Sequence, residues 1–130
     1  CLDILGGIAG TSFDRVEEFL KRYPDEPILW FFESCDLNVF DMERVLWRLA
    51  HCGWFSRVGG FLIGRPLHFD EPLFGLDQYA AVLHRLKQYR VPIIMDADFG
   101  HLPPALPLIN GAVATVERTG NRLQLRYEFR

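Results

Sequence analysis

No stretch of this chain approaches the roughly 20 consecutive apolar residues that a membrane-crossing helix requires; runs such as Pro27 to Phe32 fall far short. There is no basic excess either. The net charge is −3 and Lys and Arg are scattered along the chain, so the electrostatic footprint of a nucleic-acid binder is missing. Cysteines are few: Cys1, Cys35 and Cys52 make an odd count without metal-type spacing. That pattern argues against a disulfide framework and fits a reducing compartment. Internal repeats, low-complexity tracts, an interdomain linker and a signal-peptide layout are also lacking, as is a Gly-x-Ser-x-Gly nucleophile elbow.

What remains is a chain of 130 residues, 49% of them hydrophobic, which is enough for one domain with a real core and short for two. A soluble single domain spanning 1–130 is expected. The chain starts at Cys1 and runs at once into the apolar Leu2-Asp3-Ile4-Leu5, as though taken from something longer.

In order, residues 2–9 read as a short helix ended by Gly10, with Thr11-Ser12 as turn and cap for a helix over 13–22 that puts Phe13, Val16, Phe19 and Leu20 on one side. The prolines around Asp25 break it. Ile28 to Phe32 is a continuous apolar run of strand length, of the kind covered on both faces, and it ends on Glu33. Asp36 or Asn38 caps a helix to about Cys52 with an inner stripe of Met42, Val45, Leu46 and Leu49. Asp36, Asp41 and Glu43 then read as charges favoured at its start. Gly59–Gly64 reads as a second strand, 65–75 as a proline-containing loop, and 76–89 as a helix burying Tyr79, Val82, Leu83 and Leu86. A third strand begins at Ile93. Strand, helix, strand, helix, strand implies a small parallel sheet with right-handed crossovers. Two further runs, 112–116 and 123–129, joined by Thr119-Gly120-Asn121, signal a β-hairpin. The fold class is α/β: a small, largely parallel sheet with crossover helices plus a C-terminal β-hairpin, a swivelling β/β/α-type domain.

Chemistry concentrates at Ile93-Ile94-Met95-Asp96-Ala97-Asp98-Phe99-Gly100-His101, where an apolar run stops at two carboxylates, a glycine and a histidine. In open α/β sheets ligands bind at the C-terminal strand ends. Parallel strands put Glu33 and His101 on the same rim, where a carboxylate can fix the imidazole tautomer and free the other ring nitrogen to accept a proton. A nucleophile is harder to find. Ser34 and Cys35 follow Glu33 without an elbow, Ser12 is more simply a cap, and Cys52 reads as structural. Asp96, Asp98, His101 and Glu33 could instead ligate a divalent metal, although His51, His68 and His84 supply no second histidine at ligand spacing. A noncatalytic peptide-binding module in which Glu33 and His101 merely pair is a further alternative.

The order of Leu29-Trp30-Phe31-Phe32-Glu33, then Glu43-Arg44-Val45-Leu46 with Leu49 and Gly53, then Gly60-Phe61-Leu62-Ile63-Gly64-Arg65, then Phe99-Gly100-His101 and Pro107-Leu108-Ile109-Asn110-Gly111 resembles the C-terminal domain of the LD-carboxypeptidases. These are serine peptidases of muropeptide recycling, related to the microcin C immunity peptidases. The resemblance implies a Ser-Glu-His triad split between two domains, with Glu33 and His101 in the positions of the family's glutamate and histidine and the serine outside this chain. It further implies removal of terminal D-alanine from murein tetrapeptides, or cleavage of a related microcin-type amide, in the cytoplasm, without a cofactor, and often as a homodimer. The 130-residue chain alone is then expected to be inactive. Ser34, Phe40 and Glu43 depart from the acidic residue, Tyr and Asp frequent in the family, which bears on substrate preference rather than on the Glu33–His101 pair. The resemblance leaves open whether Arg65 and Asp98 touch substrate.

Overall fold

The structure, a computed structural model, describes residues 1–68 and 71–129. Positions 69 and 70 of the loop expected over 65–75, and position 130, lie outside the described residues. The elements are α1 (Leu2–Ile8), α2 (Val16–Arg22), β1 (Ile28–Phe32), α3 (Val39–His51), β2 (Val58–Gly64), α4 (Gln78–Leu86) continued by a 3₁₀ turn (Lys87–Tyr89), β3 (Ile93–Ala97), β4 (Val113–Thr119) and β5 (Arg122–Glu128). The parallel sheet is ordered β1-β2-β3, and β4 and β5 form a separate antiparallel pair. No helix among the described residues is long and apolar enough to cross a membrane.

Because side chains alternate across a strand, the apolar runs serve both faces of the sheet. Trp30, Phe32, Phe61, Ile63, Ile93 and Met95 face the core shared with Leu2 of α1, Met42, Leu46 and Leu49 of α3, and Val82 and Leu86 of α4. Leu29, Phe31, Leu62, Ile94 and Ala97 face Val116, Leu123 and Leu125 of the hairpin. Helices on one side and the hairpin on the other explain why these strands read as unbroken apolar runs.

Asn38, not Asp36, caps α3, its side chain accepting from the amides of Phe40 and Asp41. Asp77 caps α4 by accepting from Ala80 at 2.8 Å. Glu43 does not serve the α3 terminus: it reaches across to α4, accepting from His84 Nδ1 and from Arg85, both at 2.8 Å. Burial pushes this carboxyl up, but the two hydrogen bonds and the Arg85 and His84 charges outweigh it and leave its pKa below the ordinary value.

Two local expectations are corrected. The helix expected over 13–22 begins at Val16, Ser12 caps nothing, and Phe13 is 80% exposed. Asp14 takes the capping role, its carboxylate accepting from the Val16 amide at 3.1 Å and from the Trp54 indole at 2.9 Å. In α4, Leu83 faces outward and Tyr79 is half-buried, while Gln78 and Ala81 point inward. The register follows the α3 contact rather than the apolar stripe, since neighbouring helix faces decide which side is covered. Cys52, at the C-cap of α3, is exposed.

Phe61 is 1% exposed at the centre of the helix-side core, so Phe61→Ala is expected to cost about 3–5 kcal/mol, read by denaturant unfolding. The Glu43 contribution should depend on pH in a defined sense. Its folded pKa lies below the unfolded one, so the stabilisation is complete above about pH 4.3, the ordinary glutamate value, and is lost as pH falls through the folded value. The difference in unfolding free energy between the wild type and Glu43→Gln should shrink over that window and stay flat from pH 5 to 6.

Candidate active site

β1 ends at Phe32 and hands Glu33 to the C-terminal rim, and β3 ends at Ala97, four residues before His101. Between them β2 ends at Gly64. The path from β3 to His101 is set by a bulge. From Leu62 to Gly64 β2 advances two residues, while β3 advances three, from Ile94 to Ala97. Asp96 lies within that longer stretch with φ +57°, a conformation Asp tolerates better than most residues. Tyr79 holds it by donating to Asp96 Oδ2 at 2.9 Å. A bulge of this kind re-aims the strand that follows it, and here it returns Ala97 to the hairpin-side face and sends Asp98 to His101 over the rim.

At the rim His101 Nδ1 lies 2.7 Å from Glu33 Oε2. An ionised carboxylate can only accept, so Nδ1 carries the proton and donates, and Nε2 of the neutral ring holds the lone pair. The two partners are unequally buried: the Glu33 side chain is 8% exposed and that of His101 45%. Among the described residues Nε2 has no hydrogen-bond partner. The arrangement is an imidazole oriented from beneath by a buried carboxylate, with its basic nitrogen facing outward.

Two glycines make room for it. A Cβ on Gly64 would lie 2.6 Å from the carbonyl oxygen of Phe99 and 2.9 Å from Glu33 Cβ, and one on Gly100 would lie 2.7 Å from Glu33 Cγ. Gly100 also has φ +108°, which side chains resist. The chain after Glu33 is pinned by the Asp3 carboxylate, which accepts from the amides of Cys35 at 3.0 Å and Asp36 at 2.8 Å. Burial raises the Asp3 pKa, but these hydrogen bonds outweigh it and the net shift is downward. The Ser34 carbonyl accepts from the Leu67 amide at 3.1 Å.

Two nucleophile candidates next to Glu33, Ser34 and Cys35, fail on their surroundings. Ser34 is 1% exposed and its hydroxyl is fully buried, where no substrate can meet it. Desolvation and the charges of Asp36, Asp3 and Glu33 push the Cys35 thiol pKa up, the reverse of what activates a thiolate. Of the residues of the metal alternative, Asp96 is held by Tyr79 and Asp98 pairs with Arg65 at 3.1 Å, while Glu33 and His101 meet each other. No group of three potential ligands converges among the described residues. Of the other histidines, His84 meets Glu43 and His68 meets Glu71 at 3.2 Å. Carboxylate–imidazole pairing is thus not special in itself; the strand-end position of Glu33–His101 sets that pair apart. Sequence reasoning missed Asp3, Gly64 and Tyr79, whose contributions come from contacts distant along the chain.

Fold and rim together define an α/β domain that presents an imidazole oriented by a buried carboxylate at the C-terminal edge of its parallel sheet. The chain belongs to the LD-carboxypeptidase C-terminal domain family, whose sequence profile matches residues 1–116. The crystal structure of muramoyltetrapeptide carboxypeptidase from Oxalobacter formigenes superposes with a TM-score of 0.76 at 22% identity, covering 97% of this chain and 41% of that one. A curated protein, UDP-glycosyltransferase 91D2 of Stevia rebaudiana, is 30% identical over 97 residues, 75% of this chain and 20% of that protein. The chain therefore spans about two-fifths of the solved relative and a fifth of the curated one. The profile and the fold, which cover most of the chain, agree with each other; the stretch shared with the glycosyltransferase is too small a part of that protein to bear on chemistry.

Gly64→Ala sets a Cβ against a backbone oxygen that cannot swing aside, so it should destabilise the domain by about 1–3 kcal/mol and break the Glu33–His101 hydrogen bond. Gly7→Ala, which meets nothing within 4 Å inside α1, is the control and should be neutral or stabilising by about 0.5–1 kcal/mol. Thermal unfolding and the His101 ring NMR signals read both.

Proposed function

We propose that this chain supplies the glutamate and histidine of a serine-type LD-carboxypeptidase triad, the serine and its oxyanion hole coming from a domain outside these residues. The observation that carries the reading is the 2.7 Å contact of His101 Nδ1 with a buried Glu33, with Nε2 left outward at the strand-end rim. Family membership and the exclusion of Ser34 and Cys35 support it.

In this mechanism His101 Nε2 takes the serine proton as the hydroxyl attacks the scissile carbonyl. The imidazolium that forms is stabilised by Glu33, whose charge is little screened because it is buried. His101 then protonates the departing amine, the terminal D-alanine of a murein tetrapeptide, and the ester left on the serine is hydrolysed with His101 again acting as base, now toward water. Glu33 itself stays ionised; its part is to hold the tautomer. The same reading carries a cytoplasmic, murein-recycling setting and a homodimeric assembly.

The 130-residue chain alone should release no D-alanine from an L,D-tetrapeptide. In a protein that also contains the nucleophile domain, His101→Ala should lower kcat by roughly five to six powers of ten and Glu33→Gln by roughly four, with the fold checked by circular dichroism. Undiminished turnover by His101→Ala would refute the assignment.

A further inference from the structure

We propose that Arg65 is a positioning residue for His101: its guanidinium clamps the loop that carries the imidazole and is not a substrate-binding cation. Arg65 directly follows Gly64 at the end of β2. Its Nη2 donates to the carbonyls of Leu102 at 3.2 Å and Pro104 at 2.9 Å, and lies 3.1 Å from Asp98 Oδ1. The acceptors thus sit on both sides of His101, three residues before it and one and three after. The Leu106 amide donates to the Asp98 carbonyl at 2.6 Å and closes the segment that carries these acceptors into a loop.

The loop needs such a clamp. Phe99 is buried against Phe31 with ring centroids 5.9 Å apart, and Leu108 packs on the hairpin side. Between these two apolar anchors residues 100–107 are exposed apart from the half-buried Leu102, and Gly100 beside the histidine gives the backbone unusual freedom. Across this span the inward hydrogen bonds are that of His101 to Glu33 and those of Arg65 to the Leu102 and Pro104 carbonyls, and Arg65 is itself fixed: Pro66 is buried and the Leu67 amide donates to Ser34. The segment 64–67 therefore braces the strand end bearing Glu33 against the loop bearing His101. The Arg65 side chain is 24% exposed, with its Nε buried and unpartnered among the described residues. To bind a substrate carboxylate it would have to release the loop. Asp98 is half exposed, so its ion pair contributes little, and the carbonyl bonds to a charged donor carry the clamp.

The test is the His101 Nδ1–H resonance of this chain, which reports the bond to Glu33 whether or not the protein is a peptidase. In Arg65→Ala that proton should broaden or exchange with water at least tenfold faster, while the unfolding midpoint shows the domain still folded. Arg65→Lys, which keeps the charge but loses the planar fork, should fall between the two; it decides the question by the same exchange rate if Arg65→Ala does not fold. An exchange rate equal to wild type in the folded variants overturns the proposal. A second readout rests on the proposed function: in the active protein Arg65→Ala should lower kcat by on the order of 10² with KM within threefold, whereas a raised KM at unchanged kcat would make Arg65 a substrate ligand and overturn it. If no peptidase activity exists at all, the proposed function fails and the exchange measurement still decides the clamp.

Discussion

Everything in this domain rests on a block of packed aromatic rings under the helix layer. Trp30 lies against Phe32 and Trp54, Phe32 against Phe55 and Phe61, and Phe55 against Phe61 and Tyr89, with centroids 5.2 to 6.3 Å apart. Such contacts combine large buried area with preferred ring geometry, and they draw on β1, β2, the turn after α3 and the 3₁₀ turn after α4. Locking those four segments holds β1 beside β2 under the helices, and β3 joins the far edge of β2 in parallel. Parallel order is what brings two residues 68 positions apart to one rim.

The rim shows what burying a charge demands of its neighbours. A carboxylate taken out of water is costly unless it is paired and hydrogen-bonded, and Glu33 has the imidazole as its partner. Glycine at 64 and 100 lets the backbone close around it. The bulge at Asp96 turns the chain toward it, and Arg65 ties the loop down on the far side. An exposed imidazole needs this second layer to stay on its carboxylate because its own side chain has enough rotamers to wander.

Much of the fold was legible in the sequence. The three strands, the two long helices and the hairpin lie within two residues or so of where spacing and turn residues put them. The errors share one cause. Phe13 and Leu83 fit apolar stripes yet face outward, and the α2 start was misplaced, because a stripe gives the period of a helix and not the neighbour that covers it. Glu43 looked like a helix-start charge and proved to be an interhelix clamp, since its partners His84 and Arg85 lie some 40 residues on.

The sequence by itself determined the α/β class and the placement of Glu33 and His101 at strand ends, because strand length, apolar continuity and glycine or proline punctuation are local properties. It also carried the order of residues that marks the family. The tertiary structure alone decided that the carboxylate and imidazole meet at bonding distance, that Ser34 is sealed away, and that Arg65 turns toward the histidine loop. Those outcomes depend on bulges, close glycine contacts and hydrogen bonds between distant segments, which arise only when the packed sheet brings its strand ends together.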